Sequence, residues 1–317
     1  MKKLLMATPL VVLALVLVTV GCSKKNPTIP TDTTVDDNTA ITNAVAASDW
    51  ADVSDYGNDG SAGFAKDDPF PGFVHWRRRI TGETRTAAIQ FDSANTFATV
   101  TINKYFDGYF VVDNTNNGVV DTIVRPFRDH GVRYVWLRKI RDHWRIWGAS
   151  PLDIATDSAS TKVVIDSVRI TGTSGPRPSV LFAGSTYFQT RRRDEMPIFD
   201  AGATVTVNVY GNISGASYPA DSAWAFLHRR IHVGLDLFHH LRLPLDRVSG
   251  QPFVFTKTWT VADDSISVRP ALRHGCVDMI LGSTLFDTTH VSPKPYSAHL
   301  WTMPYIVVNT VNDSLPE

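Results

Sequence analysis

The chain has 317 residues, is 43% hydrophobic, and carries 31 Lys+Arg against 31 Asp+Glu. The length suits two domains of ordinary size, and the apolar share excludes wholesale disorder. The neutral balance excludes the strong positive field of a nucleic-acid binder, so no nucleic-acid partner is expected.

Residues 1–21 carry two lysines, Lys2 and Lys3, then an uncharged, mostly Leu and Val run to Val20. Gly21 directly precedes Cys22. These are the parts of an export signal. The ending Thr19-Val20-Gly21-Cys22 resembles a bacterial lipoprotein signal, with Thr19 where that family usually has an aliphatic residue. The resemblance implies cleavage before Cys22 and lipidation of its thiol. Several acyl chains, at about 0.8 kcal/mol per buried CH₂, anchor a protein permanently to a membrane. Ser23 rather than Asp after the cysteine implies the outer membrane. A plain transmembrane anchor is the alternative, but seventeen uncharged residues broken by Pro9 are marginal for a span. Cleavage removes Lys2 and Lys3, leaving 29 basic against 31 acidic groups. With Cys22 modified, Cys276 has no disulfide partner, and its setting GCVDMIL reads as a buried small hydrophobe.

Residues 22–38 are polar and Pro-bearing, the composition of a flexible tether. Ile41, Val45, Ala46, Trp50 and Val53 recur at helical spacing, so residues 39–55 are expected as one helix, followed by loop at 57–72. From 73 to 149 the period becomes two. Val74, Trp76, Arg78 and Ile80 share a face, as do Ala87, Ile89 and Phe91. Turns are expected at Gly82, Asp92-Ser93, Asp107-Gly108, Asn114 to Gly118 and Asp129-His130-Gly131. A tight hairpin is expected at Arg141-Asp142. One helix before a run of antiparallel strands reads as an α+β layer, a curved antiparallel sheet covered by helix. The closing strand has Trp144, Ile146, Gly148 and Ser150 in a Trp-x-Ile-x-Gly-x-Ser pattern. In that pattern residues 39–150 resemble nuclear transport factor 2-like, or SnoaL-like, domains. The resemblance implies a pocket on the concave sheet face.

Residues 151–162 are expected as a linker and 311–317 as a tail. Between them, residues 163–310 offer eight or nine short strands with no helical stretch, among them ATVTVNVY with Val205, Val207 and Val209 on one side and FVFTKTWTV. This all-β pattern predicts a β-sandwich and resembles immunoglobulin-like modules of cell surfaces.

No GxSxG, HExxH, paired CxxC, Walker loop or GxGxxG occurs in a fitting context. Three constellations remain. Trp76, Arg78, Arg125, Trp136 and Arg138 are candidates to line a small-ligand pocket in the first domain, against the reading that Trp fills the core and Arg covers an open face. A catalytic version resembles isomerases and cyclases that use a pocket Asp or His, for which Asp129 and His130 are the nearest pair, in an expected turn. His228, His232, His239 and His240 are candidates to ligate a divalent metal. If they lie on a strand, His228 and His232 are about 13 Å apart. The run RRRDE at 191–195 reads as a self-paired surface, or as a contact for anionic lipid or polysaccharide. The expectation is a membrane-anchored envelope lipoprotein with a non-catalytic binding or structural role, its partner an envelope protein or polysaccharide. An enzyme built on the first pocket and a metal-binding protein built on the histidines are the alternatives.

Overall fold

The first helix begins where a carboxylate caps it. In the computed structural model, α1 (Asp37–Ala46) follows an extended Asp36 whose side chain accepts the Thr39 N–H at 3.0 Å. The helix therefore starts two residues before its expected position, inside the expected tether. The structure describes residues 36–48, 71, 74–157, 162–184, 191–192, 195–214, 222–232, 238–250, 252–261 and 271–308. The signal, Cys22, nearly all of the tether, the rest of the expected helix with Trp50 and Val53, and the C-terminal tail lie outside them.

Three long antiparallel strands follow: β1 (His75–Phe91), β2 (Phe97–Asp113) and β3 (Thr122–Ile140). Burial alternates along β2 and β3 as a period of two demands. Three expected turns are absent. Gly82, Asp107-Gly108 and Asp129-His130-Gly131 lie inside these strands, Gly82 opposite Asp107 and Asp129 opposite Phe106. Two of their glycines answer to crowding. A Cβ at Gly108 would lie 2.3 Å from the Arg79 carbonyl oxygen, and one at Gly131 would lie 3.2 Å from Ile154. A bulge between Ile80 and Gly82 inserts one residue, so Trp76 and Arg78 before it and Ala87 and Ile89 after it reach the same side. The turn at Asp92 is real: its carboxylate accepts from the Thr96 and Phe97 amides at 2.7 and 2.9 Å. So is the hairpin, whose Arg141 and Asp142 both have positive φ, 48° and 66°.

Beyond it come β4 (His143–Ala149), β5 (Asp153–Thr156), β6 (Lys162–Gly172), β7 (Ser179–Ala183), β8 (Arg191–Arg192) and β9 (Ile198–Asp200). Then follow β10 (Thr204–Ser214), β11 (Ala223–His232), β12 (Phe238–Pro244), β13 (Asp246–Ser249), β14 (Phe253–Thr260), β15 (Ala271–Leu281), α2 (Gly282–Phe286) and β16 (Ala298–Val308). One sheet runs β1-β2-β3-β5-β16-β15-β11-β12, with β4 beside β3, β8 beside β4, and β9 parallel to β16. The second runs β13-β14-β10-β6-β7.

The 151–157 part of the expected linker is thus not a free connection. Its β5 is hydrogen-bonded to β3 on one side and to β16 on the other, so the two expected domains contribute to one sheet. From Asp36 onward the chain is a single compact unit. Nor is the first half a helix-covered layer of the nuclear transport factor 2 type. Among the described residues only α1 packs there, through Ile41 and Val45 against Val100, Val135 and Trp144. The fold is mostly antiparallel β.

The larger sheet curls until its end strands meet: Arg242 on β12 donates to the Trp76 carbonyl on β1 at 2.7 Å. Its concave side encloses Trp76, Phe106, Phe110, Phe127, Ile154, Phe226 and Leu300. On β11, β15 and β16 the opposite side packs face to face on the second sheet, through Leu227, Val277, Met279 and Trp301 against Val163, Val168, Val207 and Phe255. That face-to-face pair is the sandwich the second half was expected to form. β16 is buried at all eleven residues because it has core on both sides. Pro304 is tolerated within it because β5 pairs residues 299–301 and β9 pairs 306–308, leaving that edge unpaired at 304 among the described residues.

Candidate functional site

The concave side of the curled sheet holds charge as well as rings. Arg78 on β1 and Asp278 on β15 are 200 residues apart in the chain, yet the curl brings them together. Arg78 donates from Nη1 to Asp278 Oδ2 at 2.6 Å and from Nη2 to Oδ1 at 2.9 Å, with both side chains wholly buried. The third guanidinium donor, Nε, reaches the Tyr296 hydroxyl at 2.7 Å, and that hydroxyl donates to Asp129 Oδ2 at 2.9 Å. His228 Nε2 on β11 approaches Asp278 Oδ2 at 3.2 Å, off the line of a well-formed hydrogen bond. The result is a relay, Asp129–Tyr296–Arg78–Asp278–His228, that ties β3, β1, β15 and β11 across the interior.

Trp76 is the hub of the packing. The Arg242 guanidinium carbon lies 3.6 Å from its ring centroid, Phe110 stacks at 5.3 Å and Phe226 meets it edge-on at 5.1 Å. Arg125, on β3, braces the segment after α2. Its Nε donates to the Lys294 carbonyl at 2.8 Å and its Nη2 to the Asp287 carbonyl at 3.0 Å. It so fixes the stretch that carries Tyr296 into the interior. Arg133 donates to the Thr302 hydroxyl at 2.9 Å.

Electrostatics follow from this burial. Desolvation alone would raise the Asp278 carboxyl, but Arg78 and the His228 contact outweigh it and hold it below its ordinary value. Burial pushes the Tyr296 phenol well above its ordinary value, and Asp129 and Asp278 add to this against the opposing pull of Arg78. Burial lowers Arg125, and the Asp287 carboxylate opposes that. Chemically, the network is a cross-brace: the Arg78 fork is consumed by two acceptors and its carboxylate by the same fork. Not every buried polar atom is satisfied. Trp76 Nε1 and Arg125 Nη1 meet no hydrogen-bond partner among the described residues.

Three of the five expected pocket residues, Trp76, Arg78 and Arg125, therefore share the interior. Trp136 and Arg138 do not. They lie at even positions of β3, whose odd positions face inward, so they belong to the outer face. Asp129 and His130 are likewise separated. Asp129 is fully buried in the relay, whereas His130 stacks on Tyr105 outside at 4.4 Å, so no exposed catalytic pair exists there. Among the histidines, His228 is taken up by Asp278. His232 pairs with Phe238, and His239 and His240 lie on β12; the side chains of these three fall outside the described residues. Among the described residues no group of three or more His, Cys, Asp or Glu converges as a metal site requires. Arg192 pairs with Glu195 at 3.3 Å, the self-pairing expected of the 191–195 run. Cys276 is buried, as expected.

Asp278, Tyr296 and Arg242 escaped the sequence reading. A lone carboxylate inside the apolar run CVDMIL was their one signal, since a buried charge demands a partner. No protein-family model, no curated protein and no solved structure matches this chain.

Proposed function

We propose that the protein is an exported lipoprotein, held by acyl chains on Cys22 at a bacterial membrane, the outer membrane by its Ser23, and that its role there is binding or structural rather than catalytic. The observation that carries the second half is the interior itself. Arg78, Asp278, Asp129 and Tyr296 are spent on one another beneath packed rings. A catalytic acid or base must reach a substrate proton, and all four of these side chains are buried. The sandwich of the second sheet on β11, β15 and β16 supports an immunoglobulin-like reading of that half. The address is tested by metabolic labelling with a palmitate analogue. The native chain should be labelled and found with membranes, and Cys22→Ala should lose the label and the membrane association. Retention of both by the variant would refute the assignment.

One observation favours a second reading, a small polar ligand within the curl. The Trp76 indole N–H and the Arg125 Nη1 group lack protein acceptors among the described residues, and leaving such a group unsatisfied costs about 1–3 kcal/mol. A native mass exceeding the denatured mass by a discrete amount would support it.

A further inference from the structure

The outer face of the β2–β3–β4 hairpins carries a row in which rings and guanidinium groups alternate. Phe97 on β2 lies directly opposite Arg138 on β3, whose guanidinium carbon sits 5.5 Å from the Phe97 ring and 5.2 Å from that of Trp147 on β4. Arg192 on β8 lies 5.9 Å from the same Trp147 ring. Phe97 and Trp147 are 43% and 36% exposed, so the row is open to solvent. Arg145 is exposed and stands directly across from Arg138 in the β3–β4 register.

Two like charges facing each other across antiparallel strands destabilise a sheet. Elsewhere the fold offsets this: Arg85 faces Lys104 across β1 and β2, and Glu83 pairs with that Lys104 at 3.2 Å. Farther along the same face Arg128 has Asp107 and Asp157 beside it, and on the inner face Lys139 has Asp37 at 2.9 Å. Among the described residues no carboxylate pairs with Arg138 or Arg145. The stacking on Phe97 and Trp147 meanwhile holds Arg138 extended, which removes much of the entropy cost of aiming its fork outward. Planar forks recognise carboxylate and sulfate bidentately, and exposed rings offer a surface to the C–H face of a sugar. The face is open rather than a cleft, as suits a linear chain. The whole protein is formally neutral, so the positive charge is local. We infer that the Phe97–Arg138–Trp147 row, with Arg145, binds an anionic polysaccharide through its carboxylate or sulfate groups, while Arg192 beside it is paired with Glu195. The inference names a partner class for the binding role proposed above, and rests on that reading only for the setting.

The test is affinity electrophoresis of the full chain in non-ionic detergent, with polygalacturonate, dextran sulfate or neutral dextran in the gel. Retardation by at least one of the two polyanions but not by neutral dextran is expected, weakening with salt, and which of them acts separates carboxylate from sulfate. Arg138→Gln with Arg145→Gln should weaken it about tenfold. Arg138→Lys with Arg145→Lys, which keeps the charge and loses the fork, should also weaken it. No retardation by either polyanion, or equal retardation of the Gln variant, would overturn the proposal. So would abolition of the retardation by micelles doped with phosphatidylglycerol, or by single-stranded DNA at equal charge. Cys22 labelling is read separately, so either result stands without the other.

Discussion

Replacing Asp278 by Leu would leave Arg78 charged in a site where its side chain has no exposure to water. The change deletes two charge-assisted bonds, at 2.6 and 2.9 Å, and the His228 contact, while the Tyr296 hydroxyl still accepts from the guanidinium Nε. Breaking a buried pair from one side costs about 3–5 kcal/mol, because the surviving ion keeps its desolvation penalty. Total stability is only about 5–15 kcal/mol, so this single change should shift the urea midpoint by a large fraction or unfold the chain. The double change Arg78→Met with Asp278→Leu removes both ions. Tyr296 then loses its Arg78 donor but still donates to Asp129, so no buried carboxylate is stranded. It should lie within about 1 kcal/mol of the native protein, since apolar replacement of a buried pair is often neutral or better. Urea unfolding of the native chain, both single variants and the double variant completes a double-mutant cycle, with an expected coupling of several kcal/mol. A cost below about 1 kcal/mol for Asp278→Leu alone, or a double variant as unstable as the summed singles, would refute the cross-brace.

The same network should give stability a dependence on pH at both ends. The Asp278 carboxyl titrates lower in the folded state, so its contribution is present above the unfolded value of about 3.9 and is lost as pH falls through the lowered one. Acid unfolding should therefore be shallower in the Arg78→Met, Asp278→Leu protein. Tyr296 titrates higher when folded, so its contribution holds below about pH 10 and is lost as pH rises past it. Tyr296→Phe should lack that alkaline loss, read from urea midpoints across the range. Glycines in the strands give a contrast of position. Gly108→Ala should cost more than about 2 kcal/mol, because its Cβ would lie 2.3 Å from the Arg79 oxygen, whereas Gly82→Ala, whose Cβ meets its nearest atom at 3.9 Å, should change stability by less than about 1 kcal/mol. Equal effects in urea unfolding would show that crowding does not explain Gly108.

Much of the local structure was legible because a strand's period of two is written into neighbouring residues. Val205, Val207 and Val209 read as one buried face and are one. The Arg141-Asp142 turn followed from two apolar runs separated by two polar residues, and its positive φ angles fit that reading. The glycines misled because a glycine in a turn and one beneath a crossing backbone look alike in sequence. Gly108 is required by the Arg79 carbonyl, which lies on another strand. Of the candidate site, Trp76, Arg78 and Arg125 were nominated from composition alone. Trp136 and Arg138 were grouped with them because the expected breaks at Gly108 and Gly131 left the facing of each short strand undetermined. Asp129-His130-Gly131 reads as a turn because Asp and Gly favour turns, whereas Asp129 is fully buried within β3.

By itself, then, the sequence determined the β-rich class, the alternation that sorts each strand into two faces, and the resemblance of its first 22 residues to a lipoprotein signal. All of these depend on residues within a few positions of each other. Only the tertiary structure decided that β5 joins two expected domains into one sheet, that the sheet curls until Arg242 touches Trp76, and that Arg78 finds Asp278 200 residues away. Those outcomes depend on which strand edges meet and on how far the sheet's twist carries its two ends toward each other. Such pairing is a property of the whole chain, since a strand's pattern states which face is apolar but not which neighbour will cover it.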